Sequence, residues 1–179
     1  MTNIDFKPVD QTTWPDLEAL FESRGGPAYC YCMVWRNMAP EKYRNLKSDR
    51  KSSLKHHVET GKPVGLLAYD HGVPIGWCSV APRDTFRKLG GEDHLEKVWS
   101  LTCFFVKRPY RRQGLMKSLI QAARQYAHAS GAKYLEAYPV APDSPSYRFM
   151  GFVPLFERLS FKYVKPAGSR RQVMRLKLE

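Results

Sequence analysis

Three arginines, Arg108, Arg111 and Arg112, crowd a short segment that begins at Lys107 and ends at Gln113 and Gly114. An apolar run from Val98 to Val106 leads into it, and an amphipathic stretch follows. A buried strand that ends in a basic, glycine-containing turn and passes straight into a helix builds an anion site. The first amides of such a helix lack intrahelical partners and point at whatever sits above the turn. The helix start carries the equivalent of roughly half a positive charge, and the arginines add full charges beside it. A diphosphate is the guest that backbone and side chains would hold together.

Other chemistries find weaker support. Neither the glycine pair followed by Lys and Ser/Thr of the P-loop nor the glycine triplet of the dinucleotide fingerprint occurs. Cys78 and Cys103 lie in apolar runs, and His56, His57, His71, His94 and His128 are scattered, with no Gly-x-Ser-x-Gly elbow. A covalent acyl route through Cys103 is the remaining nucleophilic option. Cys30-x-Cys32, with His56 and His57 further along, raises zinc, but no second cysteine pair completes a set. The favoured reading is an apolar, half-buried loop, Pro27 to Trp35, and no metal is expected.

The elements that must position the basic turn follow from periodicity. Leu115, Met116, Leu119, Ile120, Ala123, Tyr126 and Ala127 share one stripe, with Lys117, Gln121, Arg124 and Gln125 opposite, which predicts a helix with one core face. Gly131 supplies its stop before a strand from Lys133 to Tyr138. Strand, helix and strand form a βαβ unit with a right-handed crossover and parallel strands. Upstream, Val64 to Val80 reads as a hairpin around Asp70, His71 and Gly72. A strand is expected over Asn3 to Val9 and a charged helical stretch over Pro40 to Thr60. Two further strands, Leu159 to Val164 and Arg171 to Leu178, flank a turn at Pro166 to Gly168.

Arg111-Arg-Gln-Gly-Leu-Met116 resembles the Arg/Gln-x-x-Gly-x-Gly/Ala pyrophosphate loop of the GNAT N-acetyltransferases, and Ser146 to Phe152 resembles the Tyr-x-x-x-Gly-Phe element that closes their acyl-CoA site. Met116 departs from the family pattern, which has a small residue there. Its side chain must turn away from the phosphates, or the start of the helix must differ. The resemblance follows the family's order of elements across most of the chain. It implies an α/β fold, one GNAT-like domain over residues 1–179 with a central mixed, twisted sheet flanked by helices and a V-shaped acyl-CoA cleft between the strands ending at Val106 and Tyr138.

The resemblance also implies roles. Acetyl-CoA would be the acyl donor, held by the backbone of Phe104, Phe105 and Val106 and by Arg111, Arg112, Gln113, Gly114, Leu115 and Met116. Tyr147 matches the family tyrosine that protonates the departing thiolate. Many family members carry a glutamate base where this chain has Ser100, so a water relayed by Ser100 or Glu136, or an amine that enters deprotonated, would substitute; Asp84 is a further acid near the cleft mouth. Tyr29, Tyr31, Trp35 and Trp77, with Met33, are candidate walls of the acceptor pocket, with core packing the competing role. The acceptor would be an amine of a small molecule or peptide.

Composition agrees with these expectations. The chain has 179 residues, 43% of them hydrophobic, enough for a core that needs no staples. No apolar run is long enough to span a bilayer and no signal-type segment opens the chain, so a soluble, cytoplasmic protein is expected, without a membrane partner. The 29 Lys and Arg against 17 Asp and Glu give a net charge of +12. Coenzyme A accounts for part of that excess. Nucleic acid is not the expected partner, because the charge is dispersed and no nucleic-acid module occurs. A non-catalytic acyl-CoA or nucleotide-binding module, or a basic RNA-associated protein, is the alternative class, and a homodimer stays open.

Overall fold

The computed structural model describes residues 4–38 and 47–179. Its elements run β1 (Ile4–Pro8), α1 (Trp14–Glu22), α2 (Lys47–Glu59), β2 (Leu66–Asp70), β3 (Val73–Pro82), β4 (Val98–Val106), α3 (Leu115–Ala129), β5 (Tyr134–Ala137), α4 (Val153–Arg158), β6 (Lys162–Ala167) and β7 (Arg171–Lys177). The seven strands form one mixed sheet in the order β1-β2-β3-β4-β5-β7-β6. The β4 and β5 strands are parallel, as the βαβ reading requires, and every other neighbouring pair is antiparallel. The expected helical stretch is α2 from Lys47 onward; its part before Lys47 lies outside the described residues.

Both faces of the sheet are covered, which is why the central strands read as unbroken apolar runs. Leu66 and Ala68 pack with α3, while Leu67 and Tyr69, one residue out of phase, pack with α1 and α2. The α3 stripe seats Leu115, Leu119, Ile120, Ala123 and Ala127 on the first face, all buried. Leu17, Leu20 and Phe21 of α1 and Leu54 and Val58 of α2 close the second.

One irregularity organises the rest. Cys103 pairs with Ser79 but Leu101 pairs with Val80, so β4 carries one extra residue, Thr102, against β3. A bulge of this kind resets which face the following side chains take. Trp99, Leu101 and Phe104 therefore all face the α3 layer, whereas Cys103 and Phe105 face α1. The Thr102 hydroxyl is buried without a partner. At the same level β4 leaves its parallel neighbour: the two strands share register only from Val98 with Tyr134 to Leu101 with Ala137.

Several boundaries shift from the sequence expectation. The strand expected from Leu159 begins at Lys162, because an unanticipated helix, α4, occupies Val153–Arg158 and Leu159 caps it. Pro166 and Ala167 belong to β6, paired with Gln172 and Arg171, rather than to the turn. The segment resembling a closing helix is a 3₁₀ turn, Arg148–Met150.

Candidate active site

Beyond Leu101 and Ala137 the sheet opens into a V. One wall is β4 from Thr102 to Val106. The other is the chain after β5, which leaves to bond elsewhere: Val140 N–H donates to Gly151 O at 3.0 Å and Gln172 N–H donates to Pro139 O at 2.9 Å. Amide directions along β4 alternate, and Lys107 N–H donates to Ile75 O on the β3 side. The amides of Val106 and Phe104 accordingly point the other way, into the V.

At the mouth of the V stands the basic turn. Arg112 (φ 62°) and Gly114 (φ 82°) both adopt left-handed backbone, so the amides around them curve into a concave nest that runs into the free N–H groups of α3. A Cβ on Gly114 would touch no protein atom within 4 Å, so the space above the turn is open. Arg111 lies across the strand end, its Nε donating to Val106 O at 2.9 Å, and the Tyr110 hydroxyl ties the turn to Asp70 at 3.0 Å. Gln113 turns its amide back onto Pro109 O at 2.7 Å. Met116, the departure from the family pattern, is half-buried: its sulfur lies near Gly151 and its side chain packs against the core while still lining the cavity above the turn.

Two cavities meet across β4. The larger, about 650 Å³, is lined by Phe104, Phe105, Val106, Arg111, Arg112, Gly114, Leu115 and Met116, with Arg148 and Phe149 across from them. The second, about 280 Å³, is apolar and lies on the α1 side; Tyr29, Trp35, Tyr147 and three cysteines, Cys30, Cys32 and Cys103, line it. Phe104, Phe105 and Phe149 belong to both linings. Tyr147 lines the apolar cavity with left-handed backbone (φ 58°), its ring 5.9 Å from Trp35 and 6.3 Å from the shared Phe149.

Of the aromatic residues expected as walls, Tyr29 and Trp35 line the apolar cavity and Tyr31 and Trp77 do not. Tyr31 is fully buried, stacked on Trp14 with its hydroxyl on Glu22 at 2.6 Å, because the left-handed backbone of Tyr31 and Cys32 turns it back into the core. Trp77 is fully buried edge-on to Phe21 and donates its Nε1–H to Cys32 Sγ at 3.2 Å. Met33 is likewise core.

Ser100 and Glu136 touch each other's network but line neither cavity. Ser100 Oγ meets the Tyr138 hydroxyl at 2.8 Å, and that hydroxyl donates to Glu136 Oε2 at 3.0 Å. Since Tyr138 has one hydrogen, Ser100 is the donor of the first bond. Burial, then the Glu136 charge, pushes the Tyr138 phenol up, so it stays protonated. Arg83 reaches Glu136 Oε2 at 3.2 Å, and Arg175 donates to Oε1 from Nε at 2.9 Å and from its terminal nitrogen at 2.8 Å. The carboxylate is fully occupied, and Gly91 seals it: a Cβ there would fall on Glu136. Asp84 lines a separate basic hollow with Arg83, Arg87 and Lys88.

Sequence reasoning singled out Cys30, Cys32 and Cys103 but missed the contact between them, and it missed Arg171. Cys32 donates its thiol hydrogen to Cys103 Sγ at 3.2 Å, joining the Tyr31–Cys32 turn to β4. That hydrogen bond, and burial, push the Cys32 thiol well up, so it keeps its proton. The Arg171 guanidinium stacks 4.2 Å over Trp35 and 5.7 Å over Tyr147. Neither the Cys32–Cys103 contact nor the β7 arginine carries a local signal, because the partners come from distant segments. Among the described residues no three His, Cys, Asp or Glu side chains group to hold a metal, and no helix is long and apolar enough to cross a membrane.

The comparisons with known proteins agree with this geometry. The solved N-acetyltransferase from Staphylococcus aureus superposes with a TM-score of 0.59 at 15% identity, covering 99% of this chain and 100% of that one. The paia N-acetyltransferase of Thermoplasma acidophilum, solved in complex with coenzyme A, gives 0.57 at 15% identity over 98% and 99% of the two chains. The yncA structure from Salmonella typhimurium, which holds its cofactor acetyl-CoA, gives 0.58 at 17% identity over 98% and 94%. At such identities the likeness shows the fold. Curated protein sequences give no significant match. The sequence matches the Acetyltransferase (GNAT) family over residues 17–152, from α1 through the 3₁₀ turn. With the split sheet, the basic nest and that match together, the chain belongs to the GNAT acetyltransferase family.

Proposed function

We propose that the protein transfers an acetyl group from acetyl-CoA directly to the amine of a small molecule or peptide. One observation supports the reading: a cavity lined by the basic turn and an apolar cavity meet at Phe104 and Phe105, where β4 has parted from β5 while still paired with β3. A long donor threading the V would present its thioester at the junction, and an acceptor would approach from the α1 side.

The residues divide the work by position. The nest at Arg112 to Gly114, the first amides of α3 and the guanidiniums of Arg111 and Arg112 hold the diphosphate. The Phe104 and Val106 amides hydrogen-bond the extended arm and polarise the thioester carbonyl, donors fixed before the charge develops. Tyr147 gives its phenolic proton to the sulfur as the carbon–sulfur bond breaks. Ser100, Tyr138 and Glu136 brace the floor of the V, where β4 and β5 part.

Purified protein mixed with acetyl-CoA and a panel of amines tests the reading by thiol release and product mass. Acetyl-CoA is expected to raise the melting temperature, as a ligand of the folded state must. The Tyr147→Phe enzyme is expected to lose about 100-fold in kcat with donor affinity retained. An unchanged kcat removes Tyr147 from the reaction. A protein that binds oligonucleotide with steep salt dependence and releases no thiol belongs to a different class.

A further inference from the structure

Resting on that acetyl-transfer reading, we propose that the acceptor is a weakly basic, apolar amine of the aromatic kind, which enters the α1-side cavity as the free base. The cavity is built for an uncharged guest. Among the described residues none of its lining groups is a carboxylate or a histidine; its polar side-chain atoms are phenols, thiols and the indole N–H of Trp35.

The nearby charges are positive. Arg36 is 1% exposed and forms no carboxylate pair among the described residues; its terminal nitrogens donate to Val64 O, Ser79 Oγ and Thr85 Oγ1, and its Nε has no partner. Burial pushes its guanidinium down to about 10. Arg171 brings its guanidinium against two of the lining rings, Trp35 and Tyr147. An ammonium entering here would lose part of its water, gain no counter-charge from the described lining and meet the like charge of Arg171. Aromatic walls can hold cations by their faces, but Arg171 already covers Trp35 at 4.2 Å and lies 5.7 Å from the Tyr147 ring centre.

The proton balance points the same way. With a free-base amine the nitrogen lone pair forms the new carbon–nitrogen bond, the carbon–sulfur bond breaks, and the proton leaving nitrogen equals the one taken by sulfur. No net proton has to leave, and Tyr147 alone passes it across. An ammonium brings one more proton, and the cavity lining offers no carboxylate to accept it, since Glu136 is sealed by Arg83, Arg175 and Tyr138. An alkyl amine of pKa near 10.4 is free base in roughly one molecule in 2,500 at pH 7, whereas an aniline is almost wholly so.

Aniline and benzylamine, similar in size and opposite in basicity, test the proposal with saturating acetyl-CoA. The expected result is kcat/KM for aniline at least about 100-fold above benzylamine at pH 7. Aniline should show little pH dependence, while benzylamine should climb about tenfold per pH unit. Val34 lines the cavity and is 43% exposed, so Val34→Glu places a carboxylate there without burying it; that variant is expected to shift the ratio at least tenfold toward benzylamine. Benzylamine or spermidine preferred at pH 7 with a flat profile overturns the proposal, as does an unmoved ratio in Val34→Glu. Vigorous acetylation of such cations leaves the acetyl-transfer reading standing, whereas thiol release with no amine at all sinks that reading as well.

Discussion

Replacing Glu136 with glutamine separates an anchor from a base. In the native protein the carboxylate accepts from Arg175 at 2.9 and 2.8 Å, from Arg83 at 3.2 Å and from Tyr138 at 3.0 Å. Glutamine keeps the shape but offers one oxygen and one NH₂ group. If the oxygen stays with Arg175, the NH₂ group faces the Tyr138 hydroxyl and the Arg83 guanidinium, donor against donor. Tyr138 can turn its hydrogen to Ser100, but Arg83 has no such escape. Arg83, whose side chain is 18% exposed, then loses a counter-charge that was fully buried, while Arg175, 16% exposed, keeps Glu92 at 2.8 Å. Breaking a pair of this kind costs about 3 kcal/mol, a large part of a total of roughly 5–15 kcal/mol. At about 2–4 °C per kcal/mol for a chain of this size, the melting midpoint falls by roughly 6–12 °C. Calorimetry measures that fall, and initial rates at 25 °C, where the variant is still folded, are expected within about threefold of native. A variant with an unchanged midpoint and a loss of about 100-fold in kcat refutes the reasoning and makes Glu136 the base.

Two further substitutions probe the phosphate turn and the acid stability. Gly114→Ala places an L side chain at φ 82°, a strain of about 1–2 kcal/mol; its methyl meets no protein atom within 4 Å but enters the space above the nest. Titration calorimetry is expected to show acetyl-CoA affinity weakened at least about tenfold, and equal affinity would place the phosphates elsewhere. His57 is pushed down to about 4 from 6.5, by burial first and then by the charges of Arg36 and Lys62, and its Nδ1 is buried without a partner. The unfolded chain takes up this proton near pH 6.5 and the folded chain only near 4, so the contribution is full above that window and is lost as pH falls through it. Urea midpoints against pH are expected to drop across this interval by up to about 3 kcal/mol, and His57→Leu to flatten that part of the curve. An identical slope in the variant assigns the acid sensitivity to other groups.

What could be read in the sequence was what is written locally. The α3 stripe, the basic turn and the hairpin at His71 and Gly72 depend on residues within a few positions of one another, and the structure has them. Tyr31 and Trp77 show the limit, because an aromatic residue in an apolar run looks the same whether it walls a pocket or fills a core. The left-handed backbone of Tyr31 and Cys32 decides between the two, and nothing in the residue types announces it. Glu136 is similar: on an alternating strand it reads as a surface acid or a base, and only Arg83, Arg175 and Tyr138, brought from other segments, make it a buried anchor. The short α4 escaped because six residues hold too little periodicity to distinguish helix from strand.

The bulge at Thr102 was invisible for the deepest reason, since register exists only between two strands. Its consequence reaches the chemistry. Without the extra residue, the alternation set by Trp99 and Leu101 would carry Cys103 and Phe105 to the α3 face and Phe104 to the α1 face. The Phe104 and Val106 amides would then turn toward β3, and the wall of the V would lose its donors. With it, β4 keeps its buried face against α3 on both sides of the bulge while the backbone beyond Leu101 is free of β5. One inserted residue thus aims two amides into the V and Cys103 into the apolar cavity. The same step in register lets a single strand serve both as core and as the partition between two cavities.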